Sequence, residues 1–103
     1  MWFECYCGHS IHDTSDAHYF KAHAVTDKRW LPFWDAIDKA IETHWNSDFE
    51  RESACMALRR PGYSTMMLYQ CSECARLYIM RNDGELIVFR PEDNDTPRNL
   101  FDH

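Results

Sequence analysis

The fold depends most directly on residues 69–89, which read YQCSECARLYIMRNDGELIVF. Two apolar runs, residues 77–80 and 86–89, flank a turn that contains Asp83-Gly84, and Asp-Gly between β-prone runs is among the strongest local signals for a hairpin. Residues 65–70 predict a further strand before it. Cys71 and Cys74 therefore lie in a tight turn that leads into an antiparallel hairpin.

A second cysteine pair, Cys5 and Cys7, opens the chain, about 65 residues before the first. Zinc favours four soft ligands in a tetrahedron, and two tight turns can supply two thiolates each. Only one residue separates Cys5 from Cys7, a rarer spacing, and Gly8 follows where such a turn often needs a positive φ. The pattern predicts a structural Zn²⁺ site formed by Cys5, Cys7, Cys71 and Cys74.

Other uses of these side chains stay open at the level of sequence. His9 or His12 could replace one cysteine as a ligand, and the thiols could instead be buried core residues, a redox dithiol or a rubredoxin-type iron site. Ala75 stands where the second turn would be expected to have glycine. The fifth cysteine, Cys55, is predicted to belong to a helix core.

The middle of the chain has helical periodicity. Apolar residues recur at spacings of three and four, which places them on one helix face: Trp30, Trp34, Ile37, Ile41 and Trp45. Asp27 is a candidate cap for a preliminary turn, and Pro32 is expected near the helix start. Ser47 to Glu50 has the form of a capping box, which predicts a second helix through about Arg59, ended by Pro61-Gly62. Its predicted buried residues are Phe49, Ala54, Cys55 and Leu58.

Before the helices, residues 1–25 predict one strand through the first cysteines, a turn at residues 13–16 and a second strand near residues 17–25. The predicted fold class is α+β. A small antiparallel, zinc-ribbon-like sheet from both chain ends is expected to pack against two helices from the middle. Residues 1–90 are predicted to form one zinc-stabilised domain, and residues 91–103 an acidic, mobile tail.

Composition and charge limit the possible functions. The 103 residues are 45% apolar and 15% aromatic, enough for a modest core. No apolar run approaches the roughly 20 residues of a membrane helix, and no signal peptide is evident, so we expect a cytoplasmic protein without a membrane partner. The net charge is −6. This charge repels nucleic-acid phosphates and favours a basic protein partner.

No catalytic motif is apparent. The chain contains neither Gly-x-Ser-x-Gly nor His-Glu-x-x-His. Four protein ligands would also leave zinc no open position for a substrate, so we expect no enzymatic activity. Asp35, Asp38 and Glu42 fall on one helical face, and together with Asp48 they are the predicted contacts for a partner.

The motifs resemble a family of small, uncharacterised bacterial proteins in which a Cys-x-Cys-Gly start and a Cys-x-x-Cys end flank a helical middle. The resemblance covers most of residues 5–90 and implies a metal site rather than an activity. The chain more loosely resembles the immunity proteins of bacterial toxin systems, which are small and commonly acidic. That resemblance implies a protein that binds and neutralises a basic toxin or other effector. The alternative is a zinc-ribbon regulator that binds nucleic acid or the transcription or translation machinery through Arg76, Tyr78 and Arg81.

Overall fold

A computed structural model describes residues 1–14, 18–59, 65–81 and 83–102. The chain divides into two compact units, which we consider separately. The first combines Met1–His23 with Met67–His103, and the second is Ala24–Met66. The first unit contains both cysteine pairs, and the second contains the helices.

The strands form two antiparallel sheets. β1 (Trp2–Glu4) pairs with β2 (Ser10–His12) in a two-stranded sheet. The other four strands form a sheet in chain order: β3 (Lys21–Ala24), β4 (Met66–Gln70), β5 (Leu77–Met80) and β6 (Leu86–Phe89). Together with two helices these sheets confirm the predicted α+β class. The four-stranded sheet combines β3 from the N-terminal region with three strands from the C-terminal region, as predicted, whereas β1 and β2 form a separate, smaller sheet.

The hairpin of β5 and β6 has the predicted strand bounds. The Arg81 N–H donates to the Glu85 carbonyl at 2.8 Å, and the Gly84 N–H donates to the Arg81 carbonyl at 3.0 Å. Gly84 has a φ of 85°, a conformation that glycine adopts without steric cost. Tyr78 lies opposite Tyr69 on one side and Val88 on the other. The hairpin therefore holds the Cys71–Cys74 turn at a fixed end of the sheet.

The predicted strand through the first cysteines is wrong. β1 ends at Glu4, and Cys5 to His9 form a turn in which the Gly8 N–H donates to the Cys5 carbonyl at 2.8 Å. This hydrogen bond, together with the φ of 96° at Gly8, reverses the chain and sends it back along β1 as β2. The second predicted strand is shorter than expected, since β3 is Lys21–Ala24, and residues 15–17 lie outside the described residues.

The second unit contains α1 (Asp27–Glu42) and α2 (Asp48–Leu58). α1 begins with Thr26 at its N-cap and ends before Trp45, whose indole N–H donates to the Ala40 carbonyl at 2.9 Å. The Ser47 hydroxyl accepts from the Glu50 N–H at 3.1 Å, which confirms the predicted cap of α2. The predicted stop at Pro61-Gly62 lies outside the described residues. Neither helix is long and apolar enough for a membrane span among the residues described.

The helices are more exposed than their sequence pattern suggested. Phe49 is 77% exposed, so its predicted burial is wrong. Trp30, Trp34 and Ile41 on the apolar face of α1 are also exposed, whereas Cys55 and Leu58 on α2 are partly buried. Periodicity determines which residues share a helix face, but not how much of that face a neighbour covers. Packing of the helices on the sheet stays a prediction.

The core of the first unit surrounds the two cysteine turns. Its fully buried members are Cys5, Ile11, Tyr69, Cys71 and Tyr78. The ring of Phe3 packs at 5.4 Å from the Tyr69 ring and at 4.9 Å from the Tyr78 ring. Aromatic pairs at these separations add to the free energy gained by burial. The cysteines therefore lie within the hydrophobic core rather than on a peripheral loop.

Gln70 connects this core to the C-terminal residues. Its side chain is buried, its Nε2 donates to the Pro97 carbonyl at 2.8 Å, and its Oε1 accepts from the Leu100 N–H at 2.9 Å. A buried amide costs free energy unless both of its ends are bonded, so these contacts stabilise the docked segment. Mobility of residues 91–103 in solution, and a domain boundary at residue 90, stay predictions.

A polar network joins Asp13, which follows β2, to strands β3 and β4 near the core of the first unit. The Lys21 Nζ contacts both carboxylate oxygens of Asp13, at 2.9 and 2.8 Å. The Tyr69 hydroxyl donates to Asp13 Oδ2 at 2.6 Å. Burial raises the pKa of Asp13, but the hydrogen bonds from Lys21 and Tyr69 outweigh it and hold the pKa below its ordinary value of 3.8. The ionised carboxylate therefore stabilises the fold.

We expect Asp13→Asn to lower the free energy of unfolding by about 2 kcal/mol at neutral pH, because it replaces a charged acceptor between Lys21 and Tyr69. Because the pKa of Asp13 is lower in the folded state, its contribution is complete well above pH 3.8 and is lost as the pH falls through the folded-state value. Urea unfolding of both proteins across pH measures this. The difference between them isolates Asp13, and a difference that grew on acidification would contradict the assignment.

Candidate metal centre

The structure brings the four predicted cysteines together. The Sγ atoms of Cys5, Cys7, Cys71 and Cys74 all lie within 4.8 Å of one another. Cys5 Sγ is 3.4 Å from Cys74 Sγ, and Cys7 Sγ is 3.6 Å from Cys71 Sγ. A tetrahedral ion with ligands at 2.3 Å would separate its sulfurs by about 3.8 Å. The spacing of the sulfurs therefore fits one metal ion bound by four thiolates.

The two turns share two backbone features, although they differ in length by one residue. In each, the residue after the second cysteine has a positive φ, 96° at Gly8 and 68° at Ala75. The N–H of that residue donates to the carbonyl of the first cysteine, at 2.8 Å from Gly8 to Cys5 and at 2.9 Å from Ala75 to Cys71. The Cys5 turn is closed by an i→i+3 hydrogen bond and the Cys71 turn by an i→i+4 hydrogen bond, so turns of different size both place a positive-φ residue directly after the second cysteine.

Ala75 adopts this conformation without being glycine. A left-handed backbone costs an alanine roughly 1 kcal/mol, because its Cβ approaches the backbone. Ala75 is also buried, so its methyl group recovers part of this cost through packing. Alanine at position 75 therefore adopts the positive φ that glycine was expected to supply.

Hydrogen-bond donors surround the buried sulfur of Cys5. Burial raises the pKa of the Cys5 thiol, but the Cys7 backbone N–H and the Tyr78 hydroxyl outweigh it, so the pKa falls to about 6. Burial, followed by the hydrogen bond to Cys5, raises the pKa of Tyr78 to about 12, so Tyr78 stays protonated. The same hydroxyl oxygen accepts from the Tyr6 N–H at 3.1 Å, which fixes its position.

The thiols of Cys71 and Cys7 are harder to ionise than that of Cys5. Burial raises the pKa of Cys71 to about 12, although the backbone N–H groups of Glu73 and Cys74 donate to its sulfur. The His9 N–H lowers the pKa of Cys7, but desolvation and the neighbouring Cys5 outweigh it, and the pKa is raised. If all four thiols ionise, their negative charges lie so close together that a cation is needed between them, and a divalent metal ion would supply it.

Arg76 provides a positive charge at the edge of the cluster. Its Nη1 donates to Cys74 Sγ at 3.2 Å. A charge-assisted hydrogen bond of this kind stabilises a thiolate and partly offsets the negative charge of a tetrathiolate centre. Arg76 and Tyr78 were not predicted to belong to the site. The side chains of strand β5 (Leu77–Met80) alternate between two faces of the sheet, and this alternation is the sequence signal that could have identified Tyr78 as an inward-facing residue.

This geometry changes the predicted nucleic-acid surface. Tyr78 is only 5% exposed, so its ring cannot stack on a base. Arg76 is directed at Cys74, and the Arg81 Nη1 lies 3.6 Å from the Glu85 carboxylate. Arg76 and Tyr78 therefore contact the cysteine site, and Arg81 contacts a neighbouring carboxylate.

His9 and His12, the alternative ligands, lie outside the group of four sulfurs. His9 Nε2 is 3.4 Å from the Ser72 hydroxyl, and the His12 ring stacks on Trp2 at 5.9 Å. His9 and Ser72 border a small cavity of about 130 Å³. In the described part of the chain, no carboxylate orients the His9 ring as a catalytic pair would require. The sequence gives no signal for this contact, because the two residues are 63 positions apart.

The predicted partner-binding residues are only partly grouped. Asp35, Asp38 and Glu42 border one shallow depression on α1, with Lys39 among them. Asp48 begins α2, does not border this depression, and its Oδ1 lies 3.2 Å from Arg51 Nη2. The α1 carboxylates therefore form a surface that we call the acidic face, defined by Asp35, Asp38 and Glu42.

Comparisons with known proteins identify a family but not an activity. Neither the curated proteins nor the solved structures contain a significant match to this chain. The family model described as "Domain of unknown function (DUF8617)" matches residues 1–93, a span that includes both cysteine turns, both helices and all six strands. The chain is therefore a member of the DUF8617 family.

Proposed function

We propose that the four cysteines hold one structural zinc ion that joins the N-terminal turn to the turn before β5. The observation that carries this proposal is the approach of four Sγ atoms to within 4.8 Å. All four ligands come from the protein, as is typical of structural rather than catalytic zinc. The proposal therefore assigns no reaction to the metal.

The chemistry of the donor set favours zinc. Four thiolates in a tetrahedral arrangement suit Zn²⁺ or a tetrathiolate iron, and zinc needs no redox partner. Thiolate ligands persist where thiols stay reduced, so we propose that the protein works in the cytoplasm. Structural zinc in small domains contributes about 10 kcal/mol or more of apparent binding free energy, and much of it stabilises the fold.

We expect one zinc ion per chain by elemental analysis. Cys71→Ser should abolish stoichiometric zinc binding and unfold much of the first unit, because Cys71 is fully buried in its core. Circular dichroism and thermal unfolding measure the loss of structure. Cys55→Ser is the matched control, because Cys55 lies on α2 outside the four-sulfur group. Stable, metal-free protein with native structure would contradict the proposal.

We further propose that the protein acts by binding, as an immunity-type inhibitor of a basic toxin or other effector. Its net charge of −6 supports this. Zinc adds two positive charges while four cysteines lose four protons, so the formal charge of the loaded protein is −8. A charge of this sign accelerates encounter with a basic partner and disfavours nucleic acid.

The acidic face of α1 is the proposed contact surface. Trp34 is exposed and lies four residues before Asp38, so its ring and that carboxylate occupy one side of the helix. Trp30 packs edge-on against Trp34 at 5.6 Å. Carboxylates of this kind steer association, while exposed aromatic rings supply the buried contacts that set the residence time of a complex.

Association with a purified basic toxin domain tests this proposal. We expect Asp35→Ala with Asp38→Ala to slow association about tenfold at low salt and to flatten its salt dependence, because steering charge is lost. Stopped-flow or surface binding measures the rate. Glu92→Ala with Asp102→Ala removes the same charge from exposed positions outside α1.

Two outcomes would contradict the inhibitor proposal. Equal slowing by both double variants would show that net charge matters and the acidic face does not. Tight binding to duplex DNA or to RNA in a gel-shift titration at low salt would favour the nucleic-acid regulator instead.

A further inference from the structure

The four sulfurs of the proposed zinc centre differ in their access to solvent. Cys71 is 0% exposed and Cys5 is 3% exposed. Cys74 is half-buried, whereas Cys7 is exposed. The residues on either side of Cys7, Tyr6 and Gly8, are exposed as well. A reagent dissolved in water therefore reaches Cys7 before the other three cysteines.

The sulfurs also differ in the hydrogen-bond donors that contact them. Cys74 receives the charged Arg76 guanidinium at 3.2 Å. Cys5 receives a hydroxyl and a backbone N–H, and Cys71 receives two backbone N–H groups. Cys7 receives a single backbone N–H, from His9. Donors to a thiolate stabilise its charge and lower its nucleophilicity, so Cys7 keeps the most reactive sulfur of the four.

Cys7 also has a second thiol beside it. Cys71 Sγ is 3.6 Å from Cys7 Sγ, whereas Cys5 Sγ is closest to the half-buried Cys74. Cys71 is itself shielded from solvent, so an oxidant in solution does not compete for it. As a ligand of the proposed zinc, Cys7 is a thiolate, and an exposed thiolate next to a resolving cysteine is the arrangement found in redox-sensing sites.

We propose that Cys7 is a modification site at which a hydroperoxide oxidises the centre, with Cys71 as the resolving thiol. This inference rests on the proposed zinc centre and adds a regulatory input to it. The oxidant is a small peroxide from solution, because the exposed edge at Cys7 offers access without a deep pocket.

The reaction balances in two steps. The Cys7 thiolate attacks one oxygen of hydrogen peroxide, the S–O bond forms as the O–O bond breaks, and the other oxygen leaves as hydroxide; the attacked oxygen keeps its hydrogen, which gives the sulfenic acid. The Cys71 thiolate then attacks the Cys7 sulfur, the S–S bond forms, and the S–O bond breaks with loss of a second hydroxide. Two thiolates lose two electrons, and the peroxide is reduced to two hydroxide ions. With two ligands consumed, bound zinc is released.

The test uses zinc-loaded Cys55→Ser protein, so that only the four cysteines of the centre can react. One equivalent of hydrogen peroxide is added, remaining thiols are blocked, and disulfides are mapped by mass spectrometry while a chromogenic chelator records released zinc. We expect a Cys7–Cys71 disulfide to appear with release of one zinc ion per disulfide. A first disulfide between Cys5 and Cys74, or between Cys71 and Cys74, would overturn the assignment.

A second measurement tests the reactivity order without oxidation. Limited iodoacetamide treatment of the loaded protein should place the first label on Cys7, with loss of iodide. Arg76→Gln should increase labelling of Cys74 severalfold while leaving Cys7 unchanged, and Arg76→Lys should restore much of the protection. Equal labelling of Cys74 in all three proteins would contradict the role given to Arg76 in this order.

The two proposals fail in distinguishable ways. Zinc content is measured before either reagent is added, and a protein without bound zinc would overturn the zinc centre together with this inference. Zinc-loaded protein that reacts first at another cysteine would overturn this inference alone.

Discussion

The structure of the first unit depends on the approach of four sulfur atoms from two turns that lie 64 residues apart in the chain. Cys5 and Cys71 belong to the same buried cluster as Ile11, Tyr69 and Tyr78, so the apolar core and the cysteine site cannot form independently. Four thiolates at this separation repel one another unless a cation lies between them. The proposed metal ion would therefore couple the charge of the site to the packing of the core.

Two further features hold the same parts of the chain together without metal. The Asp13 carboxylate joins Lys21 to Tyr69 beside the core, and the Gln70 amide holds the segment around Pro97 and Leu100. Gln70 is buried and Asp13 is half-buried, so their hydrogen bonds contribute to the stability of the fold. The acidic face lies on α1, in the other unit, so the proposed roles of stability and recognition are assigned to different parts of the chain.

Local sequence signals predicted the hairpin, the cap at Ser47 and the four cysteines, because each depends on residues that are neighbours in the chain or on a ligand spacing with a known geometry. The positive φ at Gly8 was predicted, but the predicted strand was extended through the cysteines because Tyr6 and Ile11 also suit a strand. The contact of Asp13 with Tyr69 joins residues 56 positions apart, and that of His9 with Ser72 joins residues 63 positions apart. Sequence periodicity reports only on near neighbours in the chain, so it could not predict these contacts. Exposure of Phe49 was missed for a similar reason, since periodicity does not show what covers a face.

The proposed metal ion would account for the proximity of the four cysteines, and the donors from Tyr78 and Arg76 agree with it because they stabilise thiolates rather than thiols. Zinc K-edge X-ray absorption of the purified protein tests this account most directly. The account predicts four sulfur ligands at about 2.3 Å and no lighter atom in the first coordination shell. A shell containing nitrogen or oxygen, as ligation by His9 or water would give, or a purified protein that binds no zinc, would contradict it.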